Sequence, residues 1–260
     1  MRPGWDPVRR NRHIGTKAQG HGQDNRHVIP ESWHRNQCYY EQLCAYREVI
    51  RELGTKKLLF LVEPTRPDWF YPCSIDDICR ALSLSTKDEL GAFDFIVLRQ
   101  PTRKQRILCP VWGRAMFIFD VGAHSGAAIV IETQNLAPIK WNVSLNPEQT
   151  RELERHRSDG HRIVRTRRGI SIVPSLATLR NTVLHRTLFH ELGHHIDYNR
   201  SSSDEWSGKT KSANEDFVHR FAKETSDRLF SEGALPFAPI IDDESLALDR
   251  LQRSWFDPAS

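Results

Sequence analysis

The sequence lacks the features of a membrane protein or a secreted one. No apolar run in its 260 residues approaches the roughly 18 residues of a membrane-spanning helix, so no transmembrane segment and no membrane partner are expected. Residues 1–30 are basic but contain no apolar core, which argues against a secretory signal. Because this region has little to bury, we predict a disordered basic arm over residues 1–30 and a single domain over residues 31–260.

Cysteine is scarce, and its spacing forms no recognisable pattern. The chain has five cysteines, an odd number, and no two of them form a CxxC pair. This spacing does not indicate a disulfide framework, so reduced thiols in a cytoplasmic compartment are the simplest explanation. Secretion as an effector is the alternative location. The five residues are Cys38, Cys44, Cys73, Cys79 and Cys109.

Positive charge is in only slight excess, because the formal net charge is +4. The excess is concentrated in the stretch Arg151–Arg168, where seven arginines stand against three acidic residues. Such a stretch can bind nucleic acid or an acidic protein, although a solvated surface is the simpler interpretation of a charge run. Nucleic acid is therefore only a weakly supported partner.

Hydrophobic periodicity predicts an α+β fold with a small mixed sheet. Turn signals at Gly, Pro and Ser residues separate the segments. Helices are predicted over residues 34–53, 74–82, 147–155, 175–198, 213–230 and 243–255. Strands are predicted over residues 57–62, 94–98 and 127–132 and, as a hairpin broken at Gly169, over residues 162–173. Residues 107–121 are predicted to hold one or two further strands, with a turn near Gly113.

The helix predicted over residues 175–198 has the clearest pattern. Pro174 and Ser175 are suited to its first turn. His190 and His194 lie beside its apolar stripe, on a neighbouring face. The stripe should face the core and repeats every four residues, at Leu184, Leu188, Leu192 and Ile196.

The segment from His190 to His194, with the sequence HELGH, is an HExxH motif. Residues four apart on a helix differ by about 40° around its axis and about 6 Å along it, so two imidazoles can converge on one metal ion. Glu191 is rotated off that line and can take a proton from a water molecule that the metal binds. The motif therefore predicts Zn²⁺ bound by His190 and His194, with Glu191 as the catalytic base.

A catalytic zinc also needs a third protein ligand and one open position. Glu215, at the start of the next predicted helix, is the expected ligand because the chain can fold back there. Two alternatives remain open. Ser212 and Glu215 also fit a helix capping box, and His219 on the same helix face can be the ligand itself or can orient one.

These residues together resemble a known family of proteases. The sequences HELGHHIDY, starting at His190, and NEDFVHRFA, starting at Asn214, are similar to the gluzincin branch of the zincin metallopeptidases, in particular the lethal-factor-like and ImmA/IrrE-type proteases. The resemblance covers only about 35 residues, 186–222. It implies a zincin-like fold with the metal site within residues 175–230, the ligands His190, His194 and Glu215, and Glu191 as general base.

The chain departs from that family near the expected site. Such proteases usually have an acidic residue four positions after the ligand glutamate, where this chain has His219. The residue that stabilises the oxyanion is not evident, and Tyr198 and His161 are the candidates. Zincins bind their substrate as an added strand on an exposed sheet edge, for which we expect the strand over residues 127–132.

The sequence thus predicts a zinc-dependent peptidase that acts on a protein or peptide substrate. The alternative is a non-catalytic zinc-containing binding module, associated with nucleic acid through Arg151–Arg168. The two differ in the metal site, because only the peptidase needs an open coordination position. The sequence does not indicate an oligomeric state.

The first prediction concerns metal content. We expect about one zinc ion per purified wild-type chain and almost none in His190→Ala or Glu215→Ala, because each variant removes a ligand. Inductively coupled plasma mass spectrometry measures the zinc. Zinc retained in Glu215→Ala would move the third ligand to His219 or elsewhere. If zinc were missing from all three proteins even after reconstitution, the motif would be a helix with coincidental histidines.

Overall fold

A computed structural model of the chain describes residue 43 and residues 45–108 and 110–259. The predicted basic arm over residues 1–30 lies outside the described residues. So does the first part of the helix predicted over residues 34–53. The α+β class is confirmed for the described residues, which form a five-stranded mixed sheet, a three-stranded sheet and several helices.

The larger sheet consists of β1 Arg47–Leu53, β2 Lys56–Val62, β3 Phe95–Arg99, β4 Gly113–Val121 and β5 His124–Glu132. Its strand order is β1-β2-β3-β5-β4. The three central strands are parallel, and each outer strand is antiparallel to its neighbour. All five residues of β3 are buried, as expected for a parallel strand that is covered on both faces.

The position of β4 in this order corrects one prediction. The strand predicted over residues 127–132 is real, but it belongs to β5, which pairs with both β3 and β4 and is therefore interior. The prediction that this strand is the exposed edge is wrong. Among the described residues the edge strands are β1, which pairs only with β2, and β4, which pairs only with β5.

The helix predicted over residues 34–53 is also wrong where the structure describes it. Val49 and Leu53 are buried whereas Ile50 is 61% exposed, which is the alternation of the strand β1. Gly54, with a φ of +58°, forms the turn that joins β1 to β2 as a hairpin. Tyr46 and Ile50 are four residues apart, a spacing that also fits a helix, and the strand shows that this spacing is coincidental.

The helices of the described residues are α1 Ile75–Leu82, α2 Lys87–Leu90, α3 Arg103–Leu108, α4 Pro147–Ser158, α5 Leu176–Arg180, α6 Leu188–Arg200, α7 Ser203–Gly208, α8 Lys211–Ser231 and α9 Asp243–Leu248. None of them has both the length and the apolar character needed to cross a lipid bilayer. Ile107 lies in α3, so only the second part of the strand predicted over residues 107–121 forms. The helix predicted over residues 243–255 ends early, because Arg250 adopts a φ of +58°.

The smaller sheet contains β6 Ile139–Trp141, β7 Arg162–Thr166 and β8 Gly169–Val173, in the order β6-β8-β7. β7 and β8 pair as an antiparallel hairpin, which confirms the hairpin predicted over residues 162–173. Gly169 begins the second strand, as the predicted break requires. This sheet packs a small apolar core of its own against Leu153 of α4.

The helix predicted over residues 175–198 exists as one continuous element with an irregular middle. Between α5 and α6, the segment Asn181–Thr187 is π-helical, with each turn closed by an i→i+5 hydrogen bond. The predicted apolar stripe is confirmed. All four of its residues lie in the main hydrophobic core, at Leu184, Leu188, Leu192 and Ile196.

A buried ion pair fixes the start of this element. The Arg180 side chain donates to both carboxylate oxygens of Asp77 on α1, and the two side chains are only 8% and 1% exposed. Asp77 also accepts hydrogen bonds from the backbone of Ser74 and Ile240. One carboxylate therefore joins α1, α5 and the C-terminal segment, and its burial is tolerated because it is fully paired.

Replacing one member of the Asp77–Arg180 pair should destabilise the fold strongly. Asp77→Asn leaves a buried guanidinium without its counter-charge, and Arg180→Met leaves a buried carboxylate. Each should lower the free energy of unfolding by about 3–5 kcal/mol. In the double variant neither charge remains, so its loss should be smaller than the sum of the single losses. Urea denaturation followed by circular dichroism measures all three, and strictly additive losses would contradict the coupling.

Candidate metal centre

The helix α6 carries His190 and His194 on a face other than that of its apolar stripe. His190 and His194 are about one-sixth exposed, and their ring centroids lie 4.9 Å apart. Glu191 is buried between them and the sheet, with 7% of its surface exposed. The helix therefore presents two imidazoles side by side, as the spacing of the motif predicts.

Glu215 on α8 faces both imidazoles. Its Oε2 atom lies 3.6 Å from His190 Nε2, and its Oε1 atom lies 4.0 Å from His194 Nε2. Donor atoms that share one zinc ion at about 2.0–2.1 Å in a tetrahedral arrangement lie about 3.4 Å apart. Two imidazole nitrogens and one carboxylate are also a donor set that zinc favours. The three residues thus fit a zinc ion in both chemistry and approximate spacing.

The capping alternative for Glu215 is not realised. α8 begins at Lys211, and its N-cap is Thr210, whose hydroxyl accepts a hydrogen bond from the Ala213 backbone at 3.2 Å. Ser212 therefore lies inside the first turn, and Glu215 lies in the second. The Glu215 side chain is directed to the histidines of α6 instead of the helix terminus.

A close approach of α8 to α6 brings Glu215 to this position. The contact occurs at Gly193, where a Cβ atom would lie 3.0 Å from Phe221 Cδ1 and 3.3 Å from Val218 Cβ. Such distances are at the limit of what packed carbon atoms tolerate. The absence of a side chain at Gly193 therefore allows the two helices to pack closely enough to assemble the centre.

His219 belongs to the same group of side chains. Its ring centroid lies 4.5 Å from that of His190, and its Nε2 atom lies 3.9 Å from Glu215 Oε2. The ligand atoms of His190, Glu215 and His219 lie within 4.8 Å of one another, as do those of His190, Glu191 and His194. The structure thus brings His219 close to the predicted ligands, and both roles foreseen for it remain open.

Burial keeps the imidazoles neutral. Desolvation, reinforced by the neighbouring imidazoles, holds the pKa of His190 far below its ordinary value. Desolvation also lowers the pKa of His194, and it lowers the pKa of His219 to about 4. At neutral pH these rings therefore carry lone pairs, which a histidine must offer in order to bind a metal ion.

The pKa of Glu191 is shifted in the opposite direction, upwards. Burial, together with the negative charge of Glu215, raises the pKa of Glu191 to about 8. The backbone N–H of Ala115 donates to the carboxylate and, with the positive charge of Arg114, acts against this rise. Near neutral pH this carboxyl group can therefore take up and release a proton, which is the property of a general acid–base residue.

The edge strand β4 crosses the centre at close range. At Gly113 a Cβ atom would lie 2.8 Å from Thr187 Cγ2 and 3.1 Å from Glu191 Cγ, so no larger residue fits there. Two positions further on, Ala115 donates its backbone N–H to Glu191. The turn predicted near Gly113 does not form, because a glycine at a close backbone approach and a glycine in a turn look alike in sequence.

A cavity of about 590 Å³ opens beside the centre. His190, Glu191 and His219 line one end of it, and Trp112 and Trp141 form apolar walls. No pattern in the sequence predicts this cavity. Its lining comes from the start of β4, from α4 and from the smaller sheet, and no motif connects these segments. The cavity also includes the charged residues Arg106, Glu132, Glu152 and Arg186.

Other predicted residues lie outside the group. Tyr198 is 43% exposed and stacks on Phe117, with ring centroids 4.5 Å apart. His161 is buried, and its Nε2 atom lies 2.8 Å from Thr182 Oγ1. Neither candidate for oxyanion stabilisation is therefore brought to the centre. Asp197 binds Lys209 Nζ at 2.6 Å, so it stabilises the connection between α6 and α8.

Two further histidines of this helical element are packed away from the centre. His195 is buried, and its Nε2 atom lies 3.0 Å from the Ala128 carbonyl oxygen of β5. His185 is buried against Phe230. The cysteines Cys73 and Cys79 are free, and burial raises the pKa of both thiols. A raised thiol pKa disfavours the nucleophilic thiolate.

The stretch Arg151–Arg168 divides into two parts. On α4, each arginine forms an ion pair with a glutamate of the same helix. On the hairpin of β7 and β8, the arginines are exposed and form no ion pair with any described residue. The hairpin group comprises Arg162, Arg165, Arg167 and Arg168. This surface is positively charged, but nothing in its geometry selects nucleic acid over another acidic partner.

Gly193→Leu should weaken zinc binding without unfolding the protein. The new side chain would collide with Phe221 and Val218 and move α8, and Glu215 with it, away from the two histidines. We expect the zinc affinity to fall by at least about tenfold, as when a ligand loses its support. Gly208→Leu is the matched control, because nothing lies within 4 Å of its Cβ position. Competition with a fluorescent chelator measures both, and equal affinities would contradict the packing argument.

Comparisons of the chain with models of protein families, with curated proteins and with solved structures found no match. No relative therefore supplies a function or a set of site residues. The function has to be inferred from the geometry and the chemistry of the site itself.

Proposed function

We propose that this protein is a zinc-dependent metallopeptidase with a zincin-like fold of the gluzincin type. The observation that carries the proposal is the position of Glu215, which faces His190 and His194 from a second helix at 3.6 and 4.0 Å. A coincidental HExxH sequence would not require a carboxylate at this place. The combination of two histidines from one helix and one glutamate from another is the ligand pattern that the resemblance implies.

The three ligands would hold zinc and leave one coordination position for the reaction. Bound there, zinc would lower the pKa of a water molecule and polarise the carbonyl group of a peptide bond. His190 and His194 contribute neutral nitrogen donors, because burial prevents their protonation. Glu215 contributes the negative charge that partly compensates the cation.

Glu191 would move the proton. Its carboxylate would accept a proton from the attacking water and pass it to the amine nitrogen that leaves when the peptide bond breaks. The Ala115 N–H and the positive charge of Arg114 act against the rise in the pKa of Glu191 and favour its ionised form, which is the form that accepts this proton. The hydrogen bond from the Ala115 N–H keeps the carboxylate at the edge strand, where a substrate would lie.

The substrate would bind as an extended strand along β4. Among the described residues this strand is one of the two edges of the sheet, and it is the edge that lies against α6 at Glu191. Its regular pairing runs from Gly113 to Met116, where a bulge interrupts the register before Phe119. Backbone hydrogen bonds to this section would place a peptide bond over the centre, and the adjoining cavity of about 590 Å³ would accept a substrate side chain.

A closed, non-catalytic zinc site is the second candidate. The observation that favours it is His219, whose Nε2 atom lies 3.9 Å from Glu215 Oε2 and whose ring is close to His190. As a fourth protein ligand, His219 would complete a tetrahedral set and leave no position for water. X-ray absorption at the zinc edge distinguishes three from two imidazole ligands, and thereby the closed site from the catalytic one.

Glu191→Gln should abolish peptide hydrolysis and keep the metal. The amide preserves the shape of the side chain but cannot accept the proton, so we expect the rate to fall by at least about 100-fold. Zinc content should not change, because Glu191 is not a ligand. Cleavage of a peptide library, followed by mass spectrometry, measures the activity. Glu224→Gln, at an exposed position on α8, is the matched control. Full activity in Glu191→Gln would disprove the mechanism.

A further inference from the structure

A second cluster of metal-binding residues lies where α4 ends. His156, Asp159 and His161 occur within six residues of the chain, and their ligand atoms lie within 4.8 Å of one another. Both imidazoles are buried, with 2% and 4% of their surface exposed. None of the three belongs to the predicted metal centre, and no sequence motif predicts a metal ion at these residues.

The end of α4 explains why these side chains meet. The His161 N–H donates to the His156 carbonyl, and the Gly160 N–H donates to the Arg157 carbonyl, both at 3.0 Å. Gly160 has a φ of +93°. This is a Schellman motif, which usually brings two apolar side chains into contact. Here the contact is made by the two imidazoles, whose ring centroids lie 5.1 Å apart.

The hydrogen bonds of His161 determine its tautomer. Thr182 Oγ1 donates its only proton to Asp159 Oδ2 at 2.7 Å, so it can only accept from His161 Nε2, which lies 2.8 Å away. His161 therefore carries its proton on Nε2 when it is neutral. Its Nδ1 atom then has a lone pair, is buried, and has no hydrogen-bond partner among the described residues.

His156 is arranged in the same way. Its Nε2 atom faces Glu152 Oε1 at 3.5 Å, which favours the proton on Nε2. Its Nδ1 atom is also buried and lacks a partner within the described part of the chain. An imidazole whose second nitrogen faces a carboxylate or hydroxyl is the usual arrangement of a metal-binding histidine. Burial lowers the pKa of both imidazoles, so both lone pairs are available at neutral pH.

Asp159 can supply the third donor atom. Its Oδ2 atom accepts from Thr182 and from Arg186, whereas no described residue donates to its Oδ1 atom. Arg186 also binds Glu152 at 2.9 Å. Glu152 also pairs with Arg155, so the two carboxylates balance two guanidiniums, and Asp159 Oδ1 is the anionic donor atom beside the two imidazoles.

Packing alone does not account for this pair. Trp112 and Trp141 surround His156, and a leucine or phenylalanine would satisfy such an environment without burying a polar atom. Buried nitrogen atoms without a partner cost free energy, and an ion or an ordered water is a common reason for them. Two such atoms, on rings that share a cluster with the Asp159 carboxylate, are better explained by a ligand that the three residues share.

We infer that His156, Asp159 and His161 form a second zinc site. Two imidazole nitrogens and a carboxylate oxygen suit zinc, with a water molecule as the fourth ligand. The donor atoms would have to close from at most 4.8 Å to about 3.4 Å, which small side-chain rotations provide. The ion would tie the end of α4 to the π-helical segment through Thr182. Because His156 also lines the cavity beside Glu191, it would stabilise one wall of that cavity.

The test uses a full-length chain in which the first centre is removed, His190→Ala/Glu215→Ala. With a second site, the wild type should hold about two zinc ions, and the expectation of almost none in His190→Ala or Glu215→Ala, which assumed a single site, becomes about one. The double variant should therefore still bind about one zinc ion per chain after dialysis, measured by inductively coupled plasma mass spectrometry. Adding His156→Leu or His161→Leu should lower the content at least about tenfold, because each removes a donor atom. Chelation should also lower the thermal midpoint of the background protein, but not that of the leucine variants.

His185→Leu, made in the same background, is the matched control. His185 is another buried histidine with two unpartnered ring nitrogens, but it lies outside both clusters, so the zinc content should not change. A background protein that is folded by circular dichroism yet holds no zinc would overturn the inference. A failure of the proposed function would give another result. The wild type would then hold one zinc ion, which would be retained in His190→Ala and lost in His161→Leu.

Discussion

The close packing of α8 against α6 is the constraint on which the candidate centre depends. An HExxH helix alone offers two imidazoles, and the third donor must come from a residue distant in the fold. Gly193 removes the side chain that would keep the helices apart, and Glu215 reaches the histidines as a result. On the other side of the helix, Gly113 allows β4 to approach Glu191 in the same way. Backbone proximity, set by two glycines, therefore defines both walls of the centre.

The parts of the fold that local pattern determines were predictable. The apolar stripe of α6 follows from a four-residue periodicity, and the buried strands β2, β3 and β5 follow from short continuous apolar runs. The order of strands in a sheet is not local, so β5 was wrongly taken as the exposed edge. β1 was wrongly predicted as a helix for a related reason. Its apolar residues fit both the helical and the strand period, and only the pairing with β2 decides between them.

The candidate site was predictable to the extent that its residues share one short motif. His190, Glu191 and His194 follow from spacing on a helix, and the structure places Glu215 opposite them. The surroundings could not be foreseen. The Ala115 N–H that holds Glu191 is a backbone group with no sequence signal, and the cavity wall around Trp112 is assembled from distant segments. Long-range packing therefore sets the electrostatics that give Glu191 its raised pKa.

The π-helical segment Asn181–Thr187 preserves the phase of the helix that follows it along the chain. A turn closed by i→i+5 hydrogen bonds contains one residue more than an α-helical turn. The wide turn therefore accommodates an extra residue without rotating the helical faces that follow it. Loss of a single residue there would let the helix run on as a regular α-helix, and His190 and Glu191 would keep their directions. A relative of this protein that is one residue shorter in this segment can therefore still assemble the same centre, so a gap at this place in an alignment is no argument against a working site.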